Sequence, residues 1–188
     1  MPLKFIVEGK TEIKFFSDLL RNRFDIVLNA DNFINLGGYN ENVISKNLAQ
    51  IQSAIAEGYT PVLIIDADAN FNDRNLEINE QLINSNIPGI ATFILPNNTD
   101  EGNIETLLLS LIRPSQENIR RIECFDALLH CLNGVQKLPG NKEKIYVLID
   151  TYGLEASFDK RDYSNNVIWD LNSNSLNSLI DFIEPLRN

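Results

Sequence analysis

Apolar residues recur along the chain with two different periods. Residues 3–7 (Leu-Lys-Phe-Ile-Val) are short and β-rich and predict a strand, ended by Gly9. From Thr11 onward Ile13, Phe16, Leu19 and Leu20 fall on one helical face. Asp25 to Leu28 and Asn32 to Leu36 carry weaker strand signals, the second closed by Gly37-Gly38. Val43, Ile44, Leu48, Ile51 and Ile55 predict a helix over 42–57, stopped by Gly58. Pro61 to Ile65 is a near-continuous apolar run, as in a central parallel strand covered on both faces. Asp73 to Asn84 reads as a polar helix with Leu76, Ile78, Leu82 and Ile83, and Gly89 to Leu95 as a further strand closed by Pro96.

Strands alternating with helices predict an α/β fold: an open, mainly parallel sheet of about four strands with helices on both faces. The later chain differs. Ile104 to Ile112 and Ser115 to Leu132 read as helices broken at Pro114. Lys142 to Tyr152 suits a helix or a strand, and helix is favoured. Residues 157–174 are polar and Asn-rich with Trp169 as an anchor, and Ser175 is expected to cap a last helix carrying Leu176, Leu179, Ile180 and Ile183. The organisation expected is an α/β core over 1–112 and a helical extension over 113–188, packed as a single unit.

Composition narrows the function. The chain has 188 residues, 44% hydrophobic and 22% charged, the profile of a globular protein of one domain. No apolar run approaches the roughly 20 residues that span a bilayer, and the apolar stretch before Glu8 is too short for a signal peptide, so a cytoplasmic protein with no membrane contact is expected. The net charge is -10. That argues against a broad phosphate-binding surface, though not against a local one bridged by metal ions. Residues 51–106 hold nine acids against one base, Arg74. Cys124 and Cys131 are seven apart in the expected helix, about 10 Å, too far for a disulfide, and both are expected to be buried thiols. One histidine (His130) and two cysteines cannot build a four-ligand structural zinc site in one chain, and no Gly-x-Ser-x-Gly elbow accompanies the histidine. Carboxylates are left to carry any chemistry.

In a parallel sheet, residues just after each strand gather along one edge, where ligands bind. The chain puts Glu8, Gly9 and Lys10 there after the first strand, Asp66, Ala67 and Asp68 after the central one, and Asp100, Glu101, Gly102, Asn103 and Glu105 after the last. Gathered carboxylates repel and raise one another's pKa, a penalty that a divalent cation removes, and hard oxygen donors suit Mg²⁺ or Mn²⁺. Glu8, Asp66 and Asp68 are the candidate metal ligands and catalytic groups. Glu105 either extends the set or only favours a helix N-terminus. Gly9 and Lys10, at a strand-to-helix turn, and Asn103 are candidate phosphate or substrate contacts, with a plain helix start at Thr11 as the alternative.

Ile6-Val7-Glu8-Gly9-Lys10-Thr11-Glu12, followed by Leu63-Ile64-Ile65-Asp66-Ala67-Asp68, resembles a Toprim domain, the topoisomerase–primase module also found in OLD-family and ribosomal-RNA-maturase nucleases. The resemblance covers about residues 3–105. The Gly102-Asn103-Ile104-Glu105 and Trp169-Asp170-Leu171 segments resemble stand-alone prokaryotic Toprim-like proteins. It implies a Toprim-like sheet and a Glu plus Asp-x-Asp site at Glu8, Asp66 and Asp68 that uses Mg²⁺ to cleave or join phosphodiesters. No tyrosine here is marked as a topoisomerase nucleophile, so hydrolysis is the expected chemistry, with a nucleic acid or nucleotide reached through the metal. Two other readings stand. One is a non-catalytic module that binds a nucleotide or a partner protein, with a homodimer among the partners. The other is a different Asp-x-Asp enzyme, such as a nucleotide-sugar glycosyltransferase or a haloacid-dehalogenase phosphatase.

Overall fold

The computed structural model describes residues 2–132, 140–157 and 160–187. Four parallel strands, β1 (Leu3–Val7), β2 (Phe33–Asn35), β3 (Thr60–Asp66) and β4 (Ala91–Leu95), form one sheet in the order β2-β1-β3-β4. Helix α1 (Lys10–Phe24) links β1 to β2, α2 (Val43–Ala56) links β2 to β3, and α3 (Phe71–Asn84) links β3 to β4. The helical remainder comprises α4 (Ile104–Ser110), α5 (Gln116–Cys131), α6 (Asn141–Asp150) and α7 (Asn177–Ile183), as the sequence pattern predicted.

The strand order reverses once. The chain leaves β1 toward β2, then returns past β1 to β3 and β4. Crossovers of one hand must then put α1 on one face of the sheet and α2 and α3 on the other. The two-residue period of the strands sorts the core accordingly. Phe5, Val7, Val62, Ile64 and Phe93 face a cluster containing Phe15, Phe16 and Leu19 of α1 together with residues of α4, α6 and α7. Ile6, Leu63, Ile65 and Ile94 face Ile44 and Ile51 of α2 and Ile78 and Leu82 of α3. No helix among the described residues is long and apolar enough to cross a membrane.

The C-terminal chain is tied back to the core by hydrogen bonds as well as packing. The Arg113 N–H donates to the Ile168 carbonyl at 2.8 Å and the Asp170 N–H to the Leu111 carbonyl at 2.7 Å, around a buried Trp169. Buried Asp18 of α1 accepts the Tyr163 N–H at 2.9 Å while paired with Lys14 at 2.6 Å.

Several local expectations are corrected. Residues 25–28 form no strand. Asp25 ends α1 in a left-handed conformation, φ 55, and Ile26 and Leu28 pack on the core without joining the sheet. Cys124 and Cys131 are exposed, because α5 buries only Asn118 and Phe125 and the shared face of the two thiols points outward. Ser175 caps nothing. Ser173 accepts its N–H in a short 3-10 turn, Asn174–Leu176, that leads into α7.

Candidate active site

The reversal of strand order opens the carboxyl edge of the sheet between β1 and β3, the place where open α/β sheets bind ligands. Val7 pairs with Ile64, so Glu8 leaves β1 beside Ile65, one residue before Asp66 at the end of β3. The Asp66 N–H donates to Glu8 Oε1 at 2.8 Å. Asp66 Oδ1 in turn accepts the Ile104 N–H, the first of α4, at 2.9 Å. A cleft of about 410 Å³ lies here, lined among others by Glu8, Gly9, Lys10, Glu12, Asp66 and Glu105, with Lys142 of α6 at its side. A larger groove of about 1050 Å³ runs along α5 and α6 and shares no residue with this cleft. It is lined by residues of α5 and α6 and Thr151, and by none of Glu8, Glu12, Asp66, Asp68 and Glu105.

Burial and mutual repulsion dominate the electrostatics. Burial, then the charges of Glu8, Glu12 and Glu105, push the Asp66 carboxyl up to about 9. Burial, then Glu8 and Glu105, push Glu12 up to about 7. Burial also raises Glu8, against the lowering effect of the Asp66 N–H. At neutral pH, Asp66 therefore holds a proton and Glu12 is poised to gain or lose one.

Glu12 was missed by the sequence reading. It is 5% exposed, in the first turn of α1. The signal was its spacing: positions 12, 15, 16 and 19 make one helical stripe, so Glu12 continues the buried face of Phe15, Phe16 and Leu19 into the cleft. Glu105 lines the cleft together with Glu8 and Asp66. Gly9, the N-cap of α1, and Lys10 line it too. Asn103 serves the helix instead. Its side-chain oxygen accepts the Thr106 N–H and hydroxyl, both at 3.0 Å, capping α4.

Asp68 diverges from Asp66. In an extended strand the two would share a face, but Asp68 has φ 55, and its N–H and carbonyl bridge Gly102 at 2.8 Å each. Its carboxylate, 55% exposed, turns to Arg74 at 2.6 Å. Arg74 Nη1 also reaches Glu77 at 3.2 Å, and the guanidinium lies 3.5 Å from the centre of the Tyr39 ring. Arg74 and Asp68 both remain within electrostatic reach of Glu8. Among the described residues, no group of three or more Asp, Glu, His or Cys side chains is arranged to hold a metal ion. The Asp66 and Tyr39 N–H groups favour the charged Glu8 carboxylate, the Ile104 N–H holds Asp66 Oδ1, and Asp68 faces away. The donors themselves are all hard carboxylate oxygens, the chemistry that suits Mg²⁺ or Mn²⁺.

Residues 3–188 match the profile of a family described as "Protein of unknown function (DUF3226)". No curated protein and no solved structure matches the chain.

Proposed function

The chain belongs to the DUF3226 family, and since that description assigns no activity, we propose one from the site: Mg²⁺- or Mn²⁺-dependent hydrolysis of a phosphodiester in the cleft between β1 and β3. One observation carries this reading. Asp66 is a partly buried carboxyl surrounded by three others, Glu8, Glu12 and Glu105, at the edge where such sheets bind ligands. Stability alone does not favour such repulsion, and a divalent cation relieves it.

Glu8 and Asp66, with Glu105 beside them in the cleft, are the groups that would hold the ion. A bound Mg²⁺ would supply charge stabilisation for the transferring phosphoryl group and a more acidic water. Glu12, poised near neutrality, is suited to take a proton from an attacking water or return one to the leaving oxygen. Lys10, which lines the cleft at the start of α1, offers a cation to the phosphate. The resemblance of Glu8 and Asp66-Ala67-Asp68 to the Toprim pattern supports the same chemistry.

The test is to incubate the purified chain with labelled single- and double-stranded DNA and RNA in Mg²⁺ and in Mn²⁺. Cleavage of one form is expected, reduced about 100-fold or more by Asp66→Asn. No cleavage of any form with either metal overturns the enzymatic reading. The closed Asp68–Arg74 pair favours the second reading, a non-catalytic nucleotide-binding module, which predicts binding without turnover.

A further inference from the structure

Arg74 is the one basic residue between positions 51 and 106. Its side chain is only 10% exposed, yet it is an odd structural cation. It lies in the first turn of α3, where the helix dipole disfavours positive charge. Its Nε is buried and has no hydrogen-bond partner. A guanidinium placed for stability alone would have its donors matched by buried acceptors. Here the carboxylate partners, Asp68 and Glu77, are themselves about half exposed.

The two ends of the pair are unequal. Arg74 is held by its stack on Tyr39, and Tyr39 is held in turn: its hydroxyl accepts from Gln81 Nε2 at 2.9 Å, while Gln81 Oε1 accepts the Ile44 N–H at 3.2 Å. Asp68 is a half-exposed side chain on a turn. Asp68 can regain water when it leaves the pair, so another anion can take its place on Arg74. Asp68 takes only Nη2 of the guanidinium, beside the unpartnered Nε, and a planar guanidinium edge of this kind matches two oxygens of a phosphate. Neither Arg74 nor Asp68 lines the cleft itself, but both act electrostatically on Glu8, which does, and the Tyr39 under Arg74 follows directly on Gly37 and Gly38 of the cleft wall.

We propose that Arg74 binds a substrate phosphate at the rim of this cleft and that Asp68 is an internal occupant of its Nη2, displaced when the phosphate arrives. This rests on the cleft being a phosphodiester site, and it adds the group that recognises the substrate's phosphate. Release from Arg74 also frees the Asp68 carboxylate to turn back toward Asp66.

Pyrophosphate binding to the full chain tests the proposal by calorimetry, first in EDTA and then in Mn²⁺. Asp68→Asn is the informative variant, because asparagine tolerates the left-handed backbone that Asp68 adopts. In EDTA, Asp68→Asn is expected to bind pyrophosphate about tenfold more tightly than the wild type. The gain should vanish in Asp68→Asn/Arg74→Gln and largely vanish in Asp68→Asn/Arg74→Lys, which keeps the charge without the planar edge. No gain in Asp68→Asn, or a gain that survives Arg74→Gln in a protein of unchanged circular dichroism, overturns the proposal. The Mn²⁺ arm separates the two claims. A wild type that binds no Mn²⁺ while the EDTA gain appears defeats the metal reading and leaves Arg74 as the anion site. Mn²⁺ binding without the EDTA gain does the reverse.

Discussion

The Asp66 N–H donates to Glu8 Oε1 across the reversal of strand order, at 2.8 Å. This bond joins the ends of β1 and β3 and fixes one oxygen of Glu8. Asp66 uses its own Oδ1 to receive the first N–H of α4. Two carboxylates are thus anchored by backbone donors while surrounded by acidic neighbours, and the consequences can be measured.

The first is a dependence of stability on pH. The folded chain holds the Asp66 proton up to about 9, whereas the unfolded chain releases it near the ordinary value of 3.8. Stability that is fully present below that value is therefore lost as pH rises toward 9. Thermal melts in EDTA are expected to show a Tm that falls between pH 5 and pH 8.5. Asp66→Asn, which mimics the protonated carboxyl, should flatten that fall and gain about 0.5–2 kcal/mol at pH 8. A wild-type Tm that rises over this range contradicts the electrostatic account.

Glu12→Gln removes one of the charges that raise Asp66. The Asp66 carboxyl should then titrate at lower pH, which carboxyl-carbon NMR can follow. Cleavage is expected to fall by about 100-fold with the fold intact, the range for loss of a general acid–base group.

Gly102 has φ +130, and a Cβ there would meet Thr106 Oγ1 at 2.8 Å. Gly102→Ala should cost about 1–3 kcal/mol through backbone strain and disturbance of the Asn103–Thr106 cap. Urea unfolding checks this. Because Gly102 also bridges Asp68, weaker pairing of Asp68 with Arg74 is expected in the same variant.

Asp18→Ala leaves the buried Tyr163 N–H without its acceptor. A loss of about 1–3 kcal/mol is expected, again by urea unfolding. The carboxylate cleft has no part in that contact, so Mn²⁺ binding should be unchanged.

The sheet and the pairing of Glu8 with Asp66 were legible in the sequence because they follow from strand ends: short apolar runs locate the strands, and parallel order brings their carboxyl ends together. Glu12 was hidden by the same logic, since hydrophobic periodicity counts a glutamate as polar even when it continues a buried stripe. The divergence of Asp68 depends on a single left-handed residue and on Arg74 six positions later, neither of which a strand pattern encodes. The exposed cysteines show a related limit. Spacing put Cys124 and Cys131 on one helical face but could not say which face would meet the core.

The most direct test of the carboxylate site is calorimetric titration of Mn²⁺ into the wild type at pH 7.5, repeated in buffers of different ionisation enthalpy to count protons. Since Asp66 and a share of Glu12 are protonated at that pH, cation binding must expel protons. The account predicts saturable binding with release of about one proton, abolished or made nearly proton-neutral by Asp66→Asn. Absence of Mn²⁺ binding, or binding that releases no proton and ignores Asp66→Asn, would contradict it.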